Sequence, residues 1–131
     1  MKISQALIDE MVAHAREEAP NECCGLVAST NGDAVRIYRA ANAEHSPVKY
    51  VVDPRDQIRI QNDIDDHGWE LGAIYHSHTR TEPFPSQTDI NLARNWPDPI
   101  YVIVGVAGDD ADVRAFRIVD GTVTETELEV R

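Results

Sequence analysis

Cysteine is scarce in this sequence, which has only two in 131 residues, the adjacent Cys23 and Cys24. Neighbours in sequence rarely form a disulfide, so a secreted disulfide framework is excluded and we expect two reduced thiols that pack in a strand. Long apolar runs are also missing. The longest, Ile100 to Ala107, is far shorter than the ~20 residues of a membrane-spanning helix, and no basic segment followed by an apolar one opens the chain. These features predict a cytoplasmic protein with no membrane partner.

Positive charge is in short supply as well. The chain carries 12 basic and 23 acidic side chains, a formal net charge of −11. Sequence-independent nucleic-acid binding and polybasic membrane contacts both need clustered Lys and Arg, so this balance argues against both kinds of partner. The 42% hydrophobic and 27% charged residues predict one compact domain over residues 1–131, with most carboxylates on a solvated surface.

The first third of the chain predicts a helix and a hairpin. Apolar residues recur at helical spacing from Ile3 to Ala15, with Ser4 placed to cap the start and Pro20-Asn21 placed to end the pattern. Two short apolar or alternating runs, Cys24 to Ser29 and Ala34 to Ala40, then flank Asn31-Gly32-Asp33. This tripeptide is the strongest hairpin signal in the chain.

The middle of the chain predicts a strand, a helix and a second strand. Tyr50 to Val52 is typical of a short strand. Asp53 is placed to cap a helix with Pro54 at its first position, and this helix runs toward Gly68. The segment from Leu71 to His76 is then predicted to be a strand.

The last third predicts a loop, a short helix and three strands. Thr79 to Pro85 is polar and rich in proline, and Ser86 to Arg94 is predicted to be helical. The strands are Ile100 to Val106, Val113 to Val119 and Val123 to Val130. Helices interleaved with a mixed, mostly antiparallel sheet indicate a single α/β, or α+β, layered fold.

Two histidines separated by one residue are the most informative feature. Because strand side chains alternate between faces, His76 and His78 at a strand end point the same way and can bind one metal ion. Asp89 would add an oxygen ligand, and two His with one Asp leave the open position that is typical of catalytic zinc. The alternative is that the pair forms a polar rim at the end of the sheet.

A catalytic metal site also needs a base, and Glu22 is the candidate. It follows the end of the first helix and precedes an apolar strand, so it lies at a sheet end where a site could form. Ser86 could donate a hydrogen bond to a developing oxyanion. Each residue has a simpler interpretation: Glu22 alone is an ordinary exposed carboxylate, and Ser86 with Asp89 forms a capping box. Capping would also aim Asp89 at the histidines, so the two roles of that helix start are compatible.

The other histidines and the cysteines carry less information. His14, His45 and His67 are interpreted as surface or packing residues. Cys23 and Cys24 lack the second C-x-x-C pair expected of a zinc site, so a structural role is favoured for both.

These residues resemble the pattern of the JAMM, or MPN-type, metalloprotease family. That pattern is an upstream Glu, His-x-His, seven residues, Ser, two residues and Asp, and every spacing is kept here. The resemblance implies a single JAMM/MPN domain with a cytidine-deaminase-like arrangement of layers. His76, His78 and Asp89 would bind one Zn²⁺ per chain. Glu22 would act as general base and then acid, and Ser86 would stabilise the tetrahedral intermediate.

Within the family, the segment from Tyr75 to Ile90 and the short chain resemble the actinobacterial Mec-type hydrolases. This implies removal of cysteine from the C-terminal Gly-Gly-Cys of a ubiquitin-like sulfur-carrier protein in cysteine biosynthesis, with a homodimer left open. A JAMM isopeptidase acting on another ubiquitin-like protein and a non-enzymatic carrier-binding scaffold are the alternatives. One departure from the family is Thr79, where many members have proline, which stiffens the exit from the second histidine. Zinc nucleobase deaminases are disfavoured because H-x-E and P-C-x-x-C are both absent.

Overall fold

The structure is a computed structural model that describes residues 1–131. Its helices are α1 (Gln5–Glu18), α2 (Pro54–Asp66) and α3 (Gln87–Leu92), the last continued by one 3₁₀ turn (Ala93–Asn95). Its strands are β1 (Lys2–Ile3), β2 (Cys24–Thr30), β3 (Asp33–Ala40), β4 (Glu70–His78), β5 (Ile100–Gly105), β6 (Asp112–Val119), β7 (Thr122–Thr126) and β8 (Glu129–Val130). No helix is long and apolar enough to cross a bilayer.

All eight strands form one mixed sheet in the order β7-β6-β5-β4-β2-β3-β1-β8. The pairs β2–β3, β2–β4, β5–β6 and β6–β7 are antiparallel, whereas β4–β5, β1–β3 and β1–β8 are parallel. The predicted mixed, mostly antiparallel sheet is therefore confirmed. Only Glu127 and Leu128 separate β7 at one edge from β8 at the other, and so short a link reaches about 10 Å. The sheet must curl until its edges approach each other.

Apolar side chains cover both faces of the sheet. On one face, Met11 and Ala15 of α1 are fully buried in a core that includes Tyr75 of β4. On the other face, Ile60 and Ile64 of α2 are fully buried in a second core. Burying a side chain of this size contributes roughly 1.5–3 kcal/mol, so the helices hold β4 between two cores.

The helices begin where their capping residues stand. Ser4 accepts a hydrogen bond from the Leu7 amide, and Asp53 accepts one from the Arg55 amide with Pro54 at the first helical position. These side chains satisfy amides that a helix start leaves unpaired. Both predicted helix starts are confirmed.

The structure differs from the sequence prediction at three places. Tyr50 to Val52 is not a strand: only Val52 forms an isolated bridge, because the amide of Val51 is bonded to a side chain, that of Asn42. The predicted last strand is divided, since β7 ends at Thr126 and β8 pairs with β1 at the opposite edge. The two-residue strand β1 was not predicted. A two-residue strand is defined by the strands it pairs with, here β3 and β8. Those partners are distant in sequence, so the local pattern could not predict β1.

Gly25 in β2 lies beneath an aromatic ring. A Cβ atom at this position would stand 2.3 Å from Cε1 of Tyr75 and 2.4 Å from the carbonyl oxygen of Tyr38. The Tyr75 ring has little freedom to move aside, because it is buried and its hydroxyl is 2.8 Å from Nδ1 of the buried His14.

We expect Gly25→Ala to lower the free energy of unfolding by about 3 kcal/mol, since overpacking a core typically costs 1–3 kcal/mol and backbone is involved here. Urea denaturation followed by circular dichroism measures this change. Gly108→Ala is the matched control, because no atom lies within 4 Å of a Cβ at that position. Equal stability of the two variants would contradict the close approach.

Candidate metal centre

The ends of β2 and β4 bring Glu22 to the two histidines. Cys24 lies opposite His76 in the antiparallel register of these strands. Continuing that register by two residues places Glu22 opposite His78. Opposite residues of an antiparallel pair point to the same face of the sheet. The carboxylate and both imidazoles therefore share one face, as the alternation of His76 and His78 predicted.

Side-chain hydrogen bonds close the ladder at this end of the sheet. Ser77, between the two histidines, accepts a hydrogen bond from the Cys23 amide at 2.8 Å and donates its own amide to the Cys23 carbonyl at 3.1 Å. Thr79 donates its hydroxyl to the Pro20 carbonyl at 2.9 Å. Thr79, at the position where the resemblance implies proline in many family members, therefore links the backbone just after His78 to the segment before Glu22.

The start of α3 delivers the third residue. Ser86 Oγ accepts from the Asp89 amide at 3.1 Å, while Asp89 Oδ2 accepts from the Ser86 amide at 3.0 Å. This is the predicted capping box. The preceding loop approaches β5 closely, since a Cβ atom at Gly105 would stand 3.0 Å from Cδ of Pro83. The cap and this close approach together turn the Asp89 side chain toward the histidines.

Three atoms of the candidate ligands converge at one point. Nε2 of His76 lies 3.2 Å from Nε2 of His78, and Asp89 Oδ2 lies 3.1 and 3.0 Å from these two nitrogens. Atoms bonded tetrahedrally to zinc at about 2.0–2.1 Å stand about 3.3 Å apart. The three atoms are therefore already close to the spacing that a single zinc ion requires.

The hydrogen bonds of His78 leave its Nε2 atom free to bind a cation in the neutral ring. Nδ1 of His78 is 2.7 Å from the Glu82 carbonyl oxygen, which can only accept, so Nδ1 carries the proton. In the neutral ring Nε2 then presents a lone pair toward the Asp89 carboxylate. In that form two acceptors face each other, and the contact is resolved either by a metal ion or by a proton on Nε2; burial opposes that proton, but the hydrogen bonds to Asp89 and the Glu82 carbonyl raise the pKa of His78. Proteins commonly orient a metal-binding histidine by a hydrogen bond from its other ring nitrogen to a backbone carbonyl, and Nδ1 of His78 makes such a bond here.

Glu22 is the fourth member of the cluster. Its carboxylate and the three ligand atoms all lie within 4.8 Å of one another. Glu22 is only 5% exposed, and its Oε1 is buried with no hydrogen-bond partner. Burial raises the pKa of Glu22 to about 8, against the opposing effect of His78. A buried carboxyl group with a pKa near neutrality suits a proton acceptor that later becomes a donor.

Asp89 and His76 have pKa values that favour metal binding. Burial acts to raise the pKa of Asp89, but His76 and the hydrogen bonds from both histidines and the Ser86 amide hold it well below its usual range. Burial lowers the pKa of His76, with Asp89 opposing this effect. The carboxylate is therefore ionised and this imidazole is neutral, which are the protonation states that a metal ion requires.

One aromatic neighbour of the centre was missed by the sequence analysis. The Tyr50 ring stacks on the His76 ring, with centroids 4.1 Å apart and planes inclined by 17°. The sequence predicted a strand at Tyr50, whereas the structure has it in the irregular segment between β3 and α2, and nothing in the local pattern associates it with the histidines. Its 4% exposure in a connecting segment is the unusual feature, and only the structure reveals it.

The other candidates lie outside the cluster. His14 packs against Tyr75, His67 stacks on Trp69 and His45 is exposed, as their interpretation as packing or surface residues predicted. Cys23 and Cys24 are free and buried, and burial raises the pKa of Cys23 to about 12. The prediction that both thiols pack in a strand is confirmed for Cys24, whereas Cys23 is buried just before β2 begins.

Several known proteins are similar to this chain along most of its length. The CysO-cysteine peptidase of Mycobacterium tuberculosis is 41% identical over 127 residues, which span 95% of this chain and 86% of that protein. A probable TtuB-protein conjugate cleaving protease of Thermus thermophilus is 37% identical over 120 residues, spanning 91% and 76%. The solution structure of a Desulfitobacterium hafniense protein is 32% identical with a TM-score of 0.89, covering 99% of this chain and 92% of that one.

The fold and the similarity to named peptidases define the chain as an enzyme of the JAMM peptidase class. Residues 4–119 match the family model described as prokaryotic homologs of the JAB domain. The chain belongs to this family, and the resemblance found in its sequence is confirmed.

We expect the purified protein to hold one equivalent of zinc, and His76→Ala and Asp89→Ala to lose most of it, because each change removes one of three converging ligand atoms. Plasma mass spectrometry for zinc and iron measures the content. His67→Ala, which alters an exposed histidine stacked on Trp69, is the control and should keep the metal. Wild-type protein that takes up no stoichiometric metal would refute the assignment.

Proposed function

We propose that the chain is a zinc-dependent hydrolase that cleaves the amide bond between the terminal glycine of a ubiquitin-like sulfur-carrier protein and cysteine. The observation that carries this proposal is the cluster itself. Three ligand atoms stand 3.0–3.2 Å apart beside Glu22, a buried carboxylate whose Oε1 has no partner. One Zn²⁺ per chain, held by His76, His78 and Asp89, completes the proposed centre.

Zinc at this position would supply Lewis-acid activation of the scissile carbonyl and of the attacking water. Glu22 accepts the proton of that water and later delivers it to the leaving amine of cysteine. A nearby cation lowers the pKa that burial has raised, which keeps the carboxylate ready as a base. Ser86, which is exposed at the start of α3, donates its hydroxyl to the oxygen anion that develops on the carbonyl. No side chain forms a covalent bond to the substrate.

The burial of the centre supports a flexible Gly-Gly tail as the substrate segment. Glu22, His76, His78 and Asp89 are between 1% and 5% exposed. Groups this enclosed favour a narrow, extended segment over a folded loop with bulky side chains, and Gly-Gly is the thinnest peptide available.

A cavity beside the centre supports a groove for the carrier. Its volume is about 210 Å³, and it is lined mainly by apolar side chains, including Ile74 two residues before His76 and Tyr50, which stacks on His76. Pro54 also lines it, whereas the next residue, Arg55, lines a separate depression and lies 3.7 Å from Asp53. A chain of net charge −11 repels an acidic partner at long range, so docking would depend on a local patch such as this apolar cavity.

The similar proteins support the substrate class. One is a CysO-cysteine peptidase and another a probable protease for TtuB-protein conjugates. The greater identity to the first, 41% over 95% of this chain, favours a cysteine adduct over a protein conjugate. A cytoplasmic location and a homodimer stay predictions.

We expect Glu22→Gln to retain zinc and to lose hydrolysis by roughly 10²- to 10⁴-fold, because the amide keeps the shape of the side chain but cannot accept the proton. Mass spectrometry of the carrier measures the rate. Glu18→Gln, an exposed carboxylate at the end of α1, is the control and should retain full activity. Equal rates in wild type and Glu22→Gln would remove Glu22 from the role of base.

We expect wild-type protein to convert a carrier ending in Gly-Gly-Cys to one ending in Gly-Gly, with loss of activity on chelation and recovery with zinc. The same assay with linear and isopeptide-linked ubiquitin provides the comparison. Cleavage of ubiquitin without cleavage of the carrier would establish the isopeptidase alternative. Carrier binding without any cleavage would establish the scaffold.

A further inference from the structure

The segment between β3 and α2, residues 41–53, is organised by one buried amide. Asn42 is 8% exposed, and all four hydrogen-bonding positions of its side chain are filled. Nδ2 donates to the carbonyls of Glu22 at 3.0 Å and Lys49 at 2.9 Å. Oδ1 accepts from the amides of Glu44 and Val51, both at 3.0 Å. A single side chain thus joins the segment to the strand end that bears Glu22.

Glu22 depends on this segment for its position. Its amide donates to the Ser46 carbonyl at 2.9 Å and its carbonyl accepts from Asn42, so both of its main-chain groups are bonded to residues 41–53. Its Oε1, in contrast, has no partner. The direction of the carboxylate is therefore set through the main chain, because no bond to that oxygen corrects a displaced backbone.

The same amide holds the aromatic cover of the centre. Tyr50 stacks on His76, and its two neighbours in sequence, Lys49 and Val51, are both bonded to Asn42. The residue that fixes the Glu22 carbonyl thereby also fixes the ring that lies against a metal ligand. Asn42 contacts none of the three ligand side chains in these bonds, so it acts on the centre through other residues.

We propose that Asn42 is a positioning residue for the hydrolysis, holding Glu22 in a fixed position beside the metal centre. This inference rests on the proposed function, since it assigns Glu22 as the base. Asn42 contributes to the rate of hydrolysis through the position of Glu22. A residue that only stabilises the fold would lower activity whether or not the base is present.

The test uses Asn42→Ala in the zinc-loaded full chain, assayed on whichever conjugate the wild type cleaves. We expect zinc content to be retained and kcat to fall roughly 10- to 100-fold, the range that a displacement of about 1 Å produces. In the Glu22→Gln background the same change should cost less than about threefold, because effects transmitted through one residue are not additive. Met11→Ala, a fully buried change on the opposite face of the sheet, is the control for loss of stability.

Amide hydrogen exchange gives a readout that does not need turnover. In Asn42→Ala the amides of Glu22, Glu44 and Val51 should lose protection, while those inside β2 keep it. Retained protection at Glu22 would overturn the inference. An unchanged kcat in Asn42→Ala would also overturn it. The same holds if Met11→Ala, at the same melting temperature, loses as much kcat as Asn42→Ala does, or if Asn42→Ala causes its full loss again in the Glu22→Gln background. If the wild type cleaves no conjugate, the proposed function fails, and the exchange experiment still decides whether Asn42 holds Glu22.

Discussion

Two imidazole nitrogens and a carboxylate oxygen lie within about 3 Å of one another in the interior of this protein, and the rest of the structure accommodates that contact. Acceptor groups placed so closely repel each other unless a proton or a cation lies between them. In the neutral ring of His78, the bond from Nδ1 to the Glu82 carbonyl leaves a lone pair on Nε2, the nitrogen that faces Asp89. A cation between these atoms, or a proton on His78, stabilises the arrangement, and the fold must supply the rigidity that keeps the three atoms together.

That rigidity comes from the position of β4 between two cores. Tyr75 and Ser77 point to the α1 side and are fully buried, which leaves His76 and His78 on the opposite face with little freedom. Packed cores on both faces resist movement of the strand, since interiors are as dense as organic crystals. Two other segments border the centre and are held by side-chain hydrogen bonds. Asn42 holds residues 41–53, and Ser86 holds the start of α3.

The charge of the protein has two components with different roles. Most of the 23 carboxylates are exposed and keep a chain of net charge −11 hydrated. Glu22 and Asp89 are buried, and the same burial has opposite outcomes for their pKa values. Glu22 has few compensating contacts and its pKa rises to about 8, whereas the histidines and the Ser86 amide hold the pKa of Asp89 low. One carboxylate is thus suited to move a proton and the other to bind a cation.

Local pattern was sufficient for the features that depend on neighbours in sequence. Helical spacing and capping residues predicted α1, α2 and α3 and their starts, and period-two alternation put His76 and His78 on one face. The spacing from His76 to Asp89 carried the family resemblance. The local sequence pattern failed to predict structure where the hydrogen-bonding partners are distant in sequence. Tyr50 to Val52 is not a strand because an asparagine side chain takes the Val51 amide, and the C-terminal segment divides because the curled sheet brings its edges together. The burial of Glu22, the stacking of Tyr50 and the four bonds of Asn42 arise only when β2, β4 and residues 41–53 meet, since no interaction within a short stretch of chain produces them.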